Sequence, residues 1–185
     1  MMRSIFIKQL GEKLSRVDQK LNSLSSAELR FLKVHPEKDK WSALECIEHL
    51  ALYNDFYLPE FEKALQKTKK APDQKLKRGW MGKKSAESML PGKGNNMKTF
   101  KSKNTLGAKV SEATLSRFKN QQERLKEIVD SARGKTIDSV RCKTTLPLIR
   151  FKLSDALEFI INHQLRHCNQ AEKALAKAYL ESTSS

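Results

Sequence analysis

The chain has few cysteines and no long apolar run, and these absences exclude several classes of protein. Its three cysteines, Cys46, Cys142 and Cys168, are odd in number and widely spaced, and no CxxC pair occurs. Such usage argues against both a disulfide framework and a zinc ribbon. No apolar run approaches the roughly 20 residues of a membrane span, and the first residues lack the apolar stretch of a signal peptide. We therefore expect a cytoplasmic protein that does not enter a membrane.

Glycine and proline are also scarce, with seven and five among 185 residues. Hydrophobic residues make up 38% of the chain and charged residues 31%. This composition is typical of a folded, helix-rich protein and not of a disordered one. The length suits one domain with a hydrophobic core, so we expect residues 1–185 to form a single domain.

Acidic residues are outnumbered by basic ones, which gives a net charge of +15 and a pI of about 9.8. Such a charge attracts phosphates and other anions. The sequence nevertheless has no aromatic-interleaved basic motif, no zinc-finger spacing and no evident recognition helix. A basic module that binds nucleic acid or another anion therefore stays as an alternative function, and nucleic acid is not the expected partner.

Hydrophobic spacing predicts four long helices, at about residues 3–24, 42–65, 109–132 and 154–180. The first has apolar residues in steps of three and four, at Ile7, Leu10, Leu14, Val17, Leu21 and Leu24. The second begins at a capping box, because Ser42 is followed three positions later by Glu45. Residues 135–152 have an irregular pattern. We predict an all-α fold, a four-helix bundle with a long crossover between its second and third helices.

That crossover, at about residues 66–108, is unusually long for a compact domain, and such loops are often functional. It carries twelve Lys and Arg residues against Asp73 and Glu87. One interpretation is a lid that attracts an anionic substrate or a phosphate-bearing partner. The other, which we favour, is a solvated basic loop.

Two of the four histidines stand close together in the last predicted helix, in the segment IINHQLRHCNQ. His163 and His167 are four residues apart, so their rings project from one face of a helix and could bind one divalent ion. His49, on the second predicted helix, offers a third ligand. Three histidines with open positions are the layout of a catalytic zinc-type site, which activates bound water or a bound thiol. The alternative is a metal-free structural bundle in which the histidines satisfy each other in the core.

Several polar residues are candidates to support those histidines. Tyr53 lies one turn after His49 and could donate a hydrogen bond to a metal-bound water. Asn54 and Gln122 interrupt apolar stripes, and each could orient a ligand imidazole. Side-chain packing, or pairing with a carbonyl that Pro59 frees, is the other interpretation for these positions.

Two segments together resemble the DinB/YfiT-like superfamily of metal-dependent enzymes. The first is WSALECIEHLALYNDFYLP, and the family's W-S-x-x-E-x-x-x-H-L pattern is matched there by Trp41, Ser42, Glu45, His49 and Leu50. The second is LSDALEFIINHQLRHCNQAEKAL, and the family's H-x-x-x-H pattern with a following Gln is matched there by His163, His167 and Gln170.

The resemblance implies a four-helix bundle running up-down-down-up and a divalent ion, nickel or zinc, held by the three histidines. It also implies a homodimer and a transferase or hydrolase reaction on a small molecule, for which a low-molecular-weight thiol is a candidate substrate. Gln170 would then support a ligand histidine without binding the metal itself. The pair Cys168-Asn169 departs from the family's commonest pattern after the second histidine, so the particular reaction and substrate stay unassigned.

Overall fold

The computed structural model describes residues 1–92 and 99–183. Within these ranges the helices are α1 (Arg3–Ser25), α2 (Leu29–Leu32), α3 (Ala43–Leu65), α4 (Trp80–Ser88), α5 (Glu112–Ser131) and α6 (Leu153–Thr183), with a 3₁₀ turn at Lys101–Lys103. Two short strands, β1 (Arg141–Lys143) and β2 (Arg150–Lys152), complete the elements. Residues 93–98 of the predicted crossover lie outside the described residues.

Helices dominate the fold, which confirms the all-α prediction at the level of class. The four predicted helices correspond to α1, α3, α5 and α6, with ends that differ by a few residues. Both α1 and α3 pack against α5 and against α6, and these contacts bury two apolar clusters. Among residues 1–92 and 99–183, no helix is both long and apolar enough to cross a membrane.

The start of α3 is fixed by the capping box that the sequence predicts. The hydroxyl of Ser42 accepts a hydrogen bond from the Glu45 amide at 3.3 Å, and the Glu45 carboxylate accepts one from the Ser42 amide at 2.8 Å. The same buried carboxylate accepts the amide of Gly107 at 2.6 Å, which ties the end of the crossover to α3. The helix then continues through Pro59 to Leu65.

The crossover contains a helix, α4, that the hydrophobic pattern does not predict. Only Gly82 and Ala86 of its nine residues are buried, so it has too narrow an apolar side to produce a stripe. Gly82 packs directly against α6, since a Cβ at that position would lie 2.6 Å from the Cβ of Asp155. A glycine is therefore required for α4 to lie against α6.

The segment before α6, predicted to be irregular, contains an antiparallel hairpin. Cys142 of β1 pairs with Phe151 of β2, and both side chains are buried while their basic neighbours point outward. Strands of three residues are too short to show the alternation by which a strand is recognised in a sequence.

A network of charged side chains joins the crossover and α1 to α6. Asp155, which is fully buried, accepts hydrogen bonds from Arg78 and from the amide of Gly79, the latter at 2.8 Å. Arg78 also pairs with Glu158 at 2.7 Å, and Glu158 pairs with Lys13 of α1 at 2.9 Å. A buried carboxylate is stable only when it is paired. This network therefore fixes the position of the crossover, at Arg78 and Gly79, against α6.

We predict that Asp155→Ala lowers the free energy of unfolding by about 3–5 kcal/mol, because it leaves the Arg78 guanidinium without its buried partner. The matched control is Asp130→Ala, which removes an exposed pair with Arg133 and should cost less than about 1 kcal/mol. Urea unfolding of both variants measures the difference. Equal losses in the two variants would contradict the assigned role of the buried carboxylate.

Candidate metal centre

Three histidines from two helices meet on one side of the α3–α6 contact. His49 comes from α3, and His163 and His167 come from α6. One ring nitrogen from each lies within 4.8 Å of the others, and the Nε2 atoms of His49 and His163 are 3.2 Å apart. His49 and His163 are buried, while His167 is half-buried. The three residues singled out by the sequence therefore do converge.

Hydrogen bonds set the orientation of two of the three rings. Nδ1 of His49 lies 2.7 Å from the carbonyl oxygen of Lys103, and since a carbonyl only accepts, Nδ1 carries the proton. Nδ1 of His167 lies 3.0 Å from Oε1 of Gln170, which fixes the same tautomer by the same argument. In both rings the lone pair is then on Nε2, the atom available to a metal ion.

Burial keeps all three imidazoles neutral at physiological pH. Desolvation is the main cause that lowers the pKa of His49 to about 4 and that of His167 to about 3. The pKa of His163 is lowered well below its ordinary value, first by burial and then by the electrostatic effects of His167, His49 and Arg166. Neutral imidazole is the form that binds a metal, so the cluster does not need to lose protons before it binds one.

Aromatic side chains hold the imidazoles from the sides. The ring of Trp41 lies 4.6 Å from that of His49 and 5.7 Å from that of His167. The Tyr53 ring lies 4.9 Å from His49 and 4.6 Å from His163. Such contacts restrict ring rotation, which favours a preformed set of ligands.

The histidines line a pocket of about 690 Å³, a size typical of small-molecule sites. Its walls are largely aromatic and apolar, and α4, the hairpin loop and the crossover all contribute to them. Besides the histidines, its lining includes Trp41, Tyr57, Met89, Phe100, Phe159 and Arg166.

The four predicted supporting residues have different surroundings. Gln170 hydrogen-bonds His167 and Tyr53 packs on two of the rings. Asn54 instead accepts a hydrogen bond from Gln164 at 3.0 Å. Both amide atoms of the buried Gln122 lack a hydrogen-bond partner among the described residues. The hydrogen bonds thus connect Gln170 to the histidines, and they leave the predicted roles of Asn54 and Gln122 as predictions.

One group that positions the site, the backbone carbonyl of Lys103, is not indicated by any sequence pattern. Its 3₁₀ turn lies on α3, where the Lys103 ammonium also donates to the carbonyl of Leu52 at 2.7 Å. Trp41 Nε1 donates to Asn104 Oδ1 at 3.0 Å, and the Thr105 hydroxyl donates to the Glu45 carbonyl at 2.8 Å. A backbone acceptor has no side-chain signature, so only the fold reveals it.

The lowered pKa of His167 predicts a specific pH dependence of stability in the chelator-treated protein. As pH falls from 6.5, the ordinary value for histidine, toward about 3, the unfolded chain binds a proton that the folded chain does not, so stability falls. Between pH 6 and pH 4.5 the free energy of unfolding of His167→Gln should therefore fall less steeply than that of the wild type. The difference in slope should be about 1.4 kcal/mol per pH unit. Urea unfolding over this range measures the slope, and parallel curves for the two proteins would contradict the prediction.

One comparison with known proteins identifies the family. A model of the DinB superfamily matches residues 9–171 of the chain. No curated protein and no solved structure matches the chain at a significant level. The family match covers most of the chain and contains α3, the hairpin and the part of α6 that carries His163 and His167. The chain belongs to the DinB superfamily.

Proposed function

We propose that this protein is a divalent-metal-dependent enzyme whose metal is held by His49, His163 and His167 and activates water or a low-molecular-weight thiol. The observation that carries the proposal is the convergence of three neutral ring nitrogens within 4.8 Å beside a pocket. Two of these rings already present the Nε2 lone pair. Three imidazoles with room for a further ligand are typical of catalytic sites, whereas structural zinc sites use four protein ligands.

The chain's own residues would prepare the site in three ways. The Lys103 carbonyl and the Gln170 amide hold the imidazole tautomers, and such partners raise the affinity of a ligand histidine for a metal. Trp41 and Tyr53 hold the rings and exclude water from one side of them. The bound ion would supply a Lewis acid that lowers the pKa of bound water or of a bound thiol toward neutrality.

Imidazole ligands suit nickel and zinc, and we propose one of these as the metal. Transferase and hydrolase reactions both fit a site with open positions, and the substrate would enter through the pocket of about 690 Å³.

We further propose that residues 1–185 form one domain in which α1, α3, α5 and α6 make a four-helix bundle running up-down-down-up. The packing of α1 and α3 against both α5 and α6 supports this arrangement. A homodimer and a cytoplasmic location complete the proposal.

The test is the metal content of protein purified without a polyhistidine tag, measured by plasma mass spectrometry. We predict close to one divalent ion per chain in the wild type, and loss of most of it in His49→Ala and in His163→Ala, because two imidazoles hold a divalent ion weakly. The matched control is His35→Ala, since His35 pairs with Glu45 and is not one of the three clustered histidines. That variant should keep the wild-type content.

An unchanged metal content in His49→Ala would contradict the assignment of His49 as a ligand. A wild type that binds no nickel or zinc, even after incubation with either, would contradict the proposal as a whole. In that case the 3.2 Å contact between the Nε2 atoms of His49 and His163 would be a proton-sharing pair in a metal-free structural bundle.

A further inference from the structure

The pocket beside the histidines combines a large apolar surface with very few charges. Aromatic and apolar side chains contribute much of its wall, and neutral hydroxyls supply most of the remaining polar groups. Among the described residues that line it, Asp39 is the only acidic one, and Lys40 beside it is basic. Both of these side chains are exposed, so solvent screens them and they offset one another.

Arg166 supplies the remaining charge, and it stands deeper. It lies on α6 between His163 and His167, it is half-buried, and it lines the pocket. Its Nη1 donates to the carbonyl of Ser88 at the end of α4, at 3.4 Å. This bond holds the guanidinium between α6 and α4. A guanidinium has five N–H donors in a planar fork, so it can bind an anion while it keeps its partners in the protein.

The charge of Arg166 acts on the same space as the histidine nitrogens. Arg166 lines the same pocket as both histidines. It follows His163 by three residues and precedes His167 by one on α6, and residues three apart are neighbours on a helix surface. A molecule bound between the aromatic wall and the histidines therefore lies within the field of one partly desolvated cation, where an opposite charge is favoured more than it would be in water.

We propose that the pocket takes a small organic carboxylate with an apolar or aromatic body, and that Arg166 binds the carboxylate while the body packs against the aromatic wall. A carboxylate matches the planar guanidinium fork. The body would contact Tyr57, Met89 and Phe159, and the reacting group would lie beside the histidines. This inference rests on the proposed function for the reacting group, but the recognition by Arg166 does not need a metal.

Arg166 is thus proposed as a specificity-determining residue, and its effect should appear as discrimination by charge. A hydrogen bond to a charged group accounts for about a 10- to 100-fold difference in affinity against a neutral analogue of similar shape. An amine of the same shape should bind more weakly still, because it would bring a like charge toward the guanidinium.

The experiment compares phenylbutyrate with its neutral analogue phenylbutanol and its cationic analogue phenylbutylamine by titration calorimetry. The untagged full chain is titrated once with the metal bound and once after treatment with chelator. We expect the order carboxylate, alcohol, amine from tightest to weakest, with carboxylate and alcohol about 10-fold or more apart. This order is measured in the wild type, so it does not depend on how any variant folds.

Variants then assign the discrimination to one residue. In Arg166→Gln the advantage of phenylbutyrate over phenylbutanol should disappear while phenylbutanol binds as before, and Arg166→Lys should keep part of it. The matched control is Arg133→Gln, an exposed arginine that pairs with Asp130 on the surface, and it should bind all three probes as the wild type does. Thermal unfolding of each variant confirms that it is folded.

Three outcomes would overturn the proposal. The first is equal affinity of the wild type for phenylbutyrate and phenylbutanol, and the second is failure of all three probes to bind. The third is a preference for phenylbutyrate that survives in Arg166→Gln but is abolished by chelator, because the carboxylate would then be a metal ligand. A protein that binds no metal yet shows the expected order and its loss in Arg166→Gln would refute the proposed metal chemistry and support the carboxylate site.

Discussion

The contact between α3 and α6 is the constraint on which the candidate site depends, because one histidine comes from the first helix and two from the second. His49 can meet His163 and His167 only at one relative depth of the two helices. The buried capping box at Ser42 fixes where α3 begins, and the ion network around Asp155 fixes α4 and the crossover against α6. The three histidines therefore lie on rigid helices, while the loops mainly supply a hydrogen-bond acceptor for His49 and part of the pocket wall.

Burial acts on this site in two opposing ways. It removes the charge from the histidines, which prepares them as ligands, but it also leaves a polar atom without a partner. Nδ1 of His163 is buried and has no hydrogen-bond partner among the described residues. Such an atom costs about 1–3 kcal/mol. A protein selected only for stability would place an apolar side chain there, and such local violations are expected at functional sites.

The sequence predicts those features that a periodic pattern encodes. The stripe of α1, the cap of α3 and the shared face of His163 and His167 all follow from spacing, and the structure confirms them. That His49 joins the other two could not follow from spacing, because a one-dimensional pattern does not say which helices face each other. There the family resemblance carried the prediction. Helix α4, the hairpin and the Lys103 carbonyl were missed, since short elements and backbone acceptors are held by tertiary contacts that leave no local signal.

In the proposed centre three imidazoles and no other side chain hold one divalent ion. X-ray absorption at the edge of the metal that accompanies the untagged protein measures this coordination, because imidazole rings give a distinct multiple-scattering pattern. We expect three imidazole nitrogens at about 2.0–2.1 Å and remaining light ligands from solvent. A sulfur neighbour at about 2.3 Å, or fewer than three imidazoles, would contradict it.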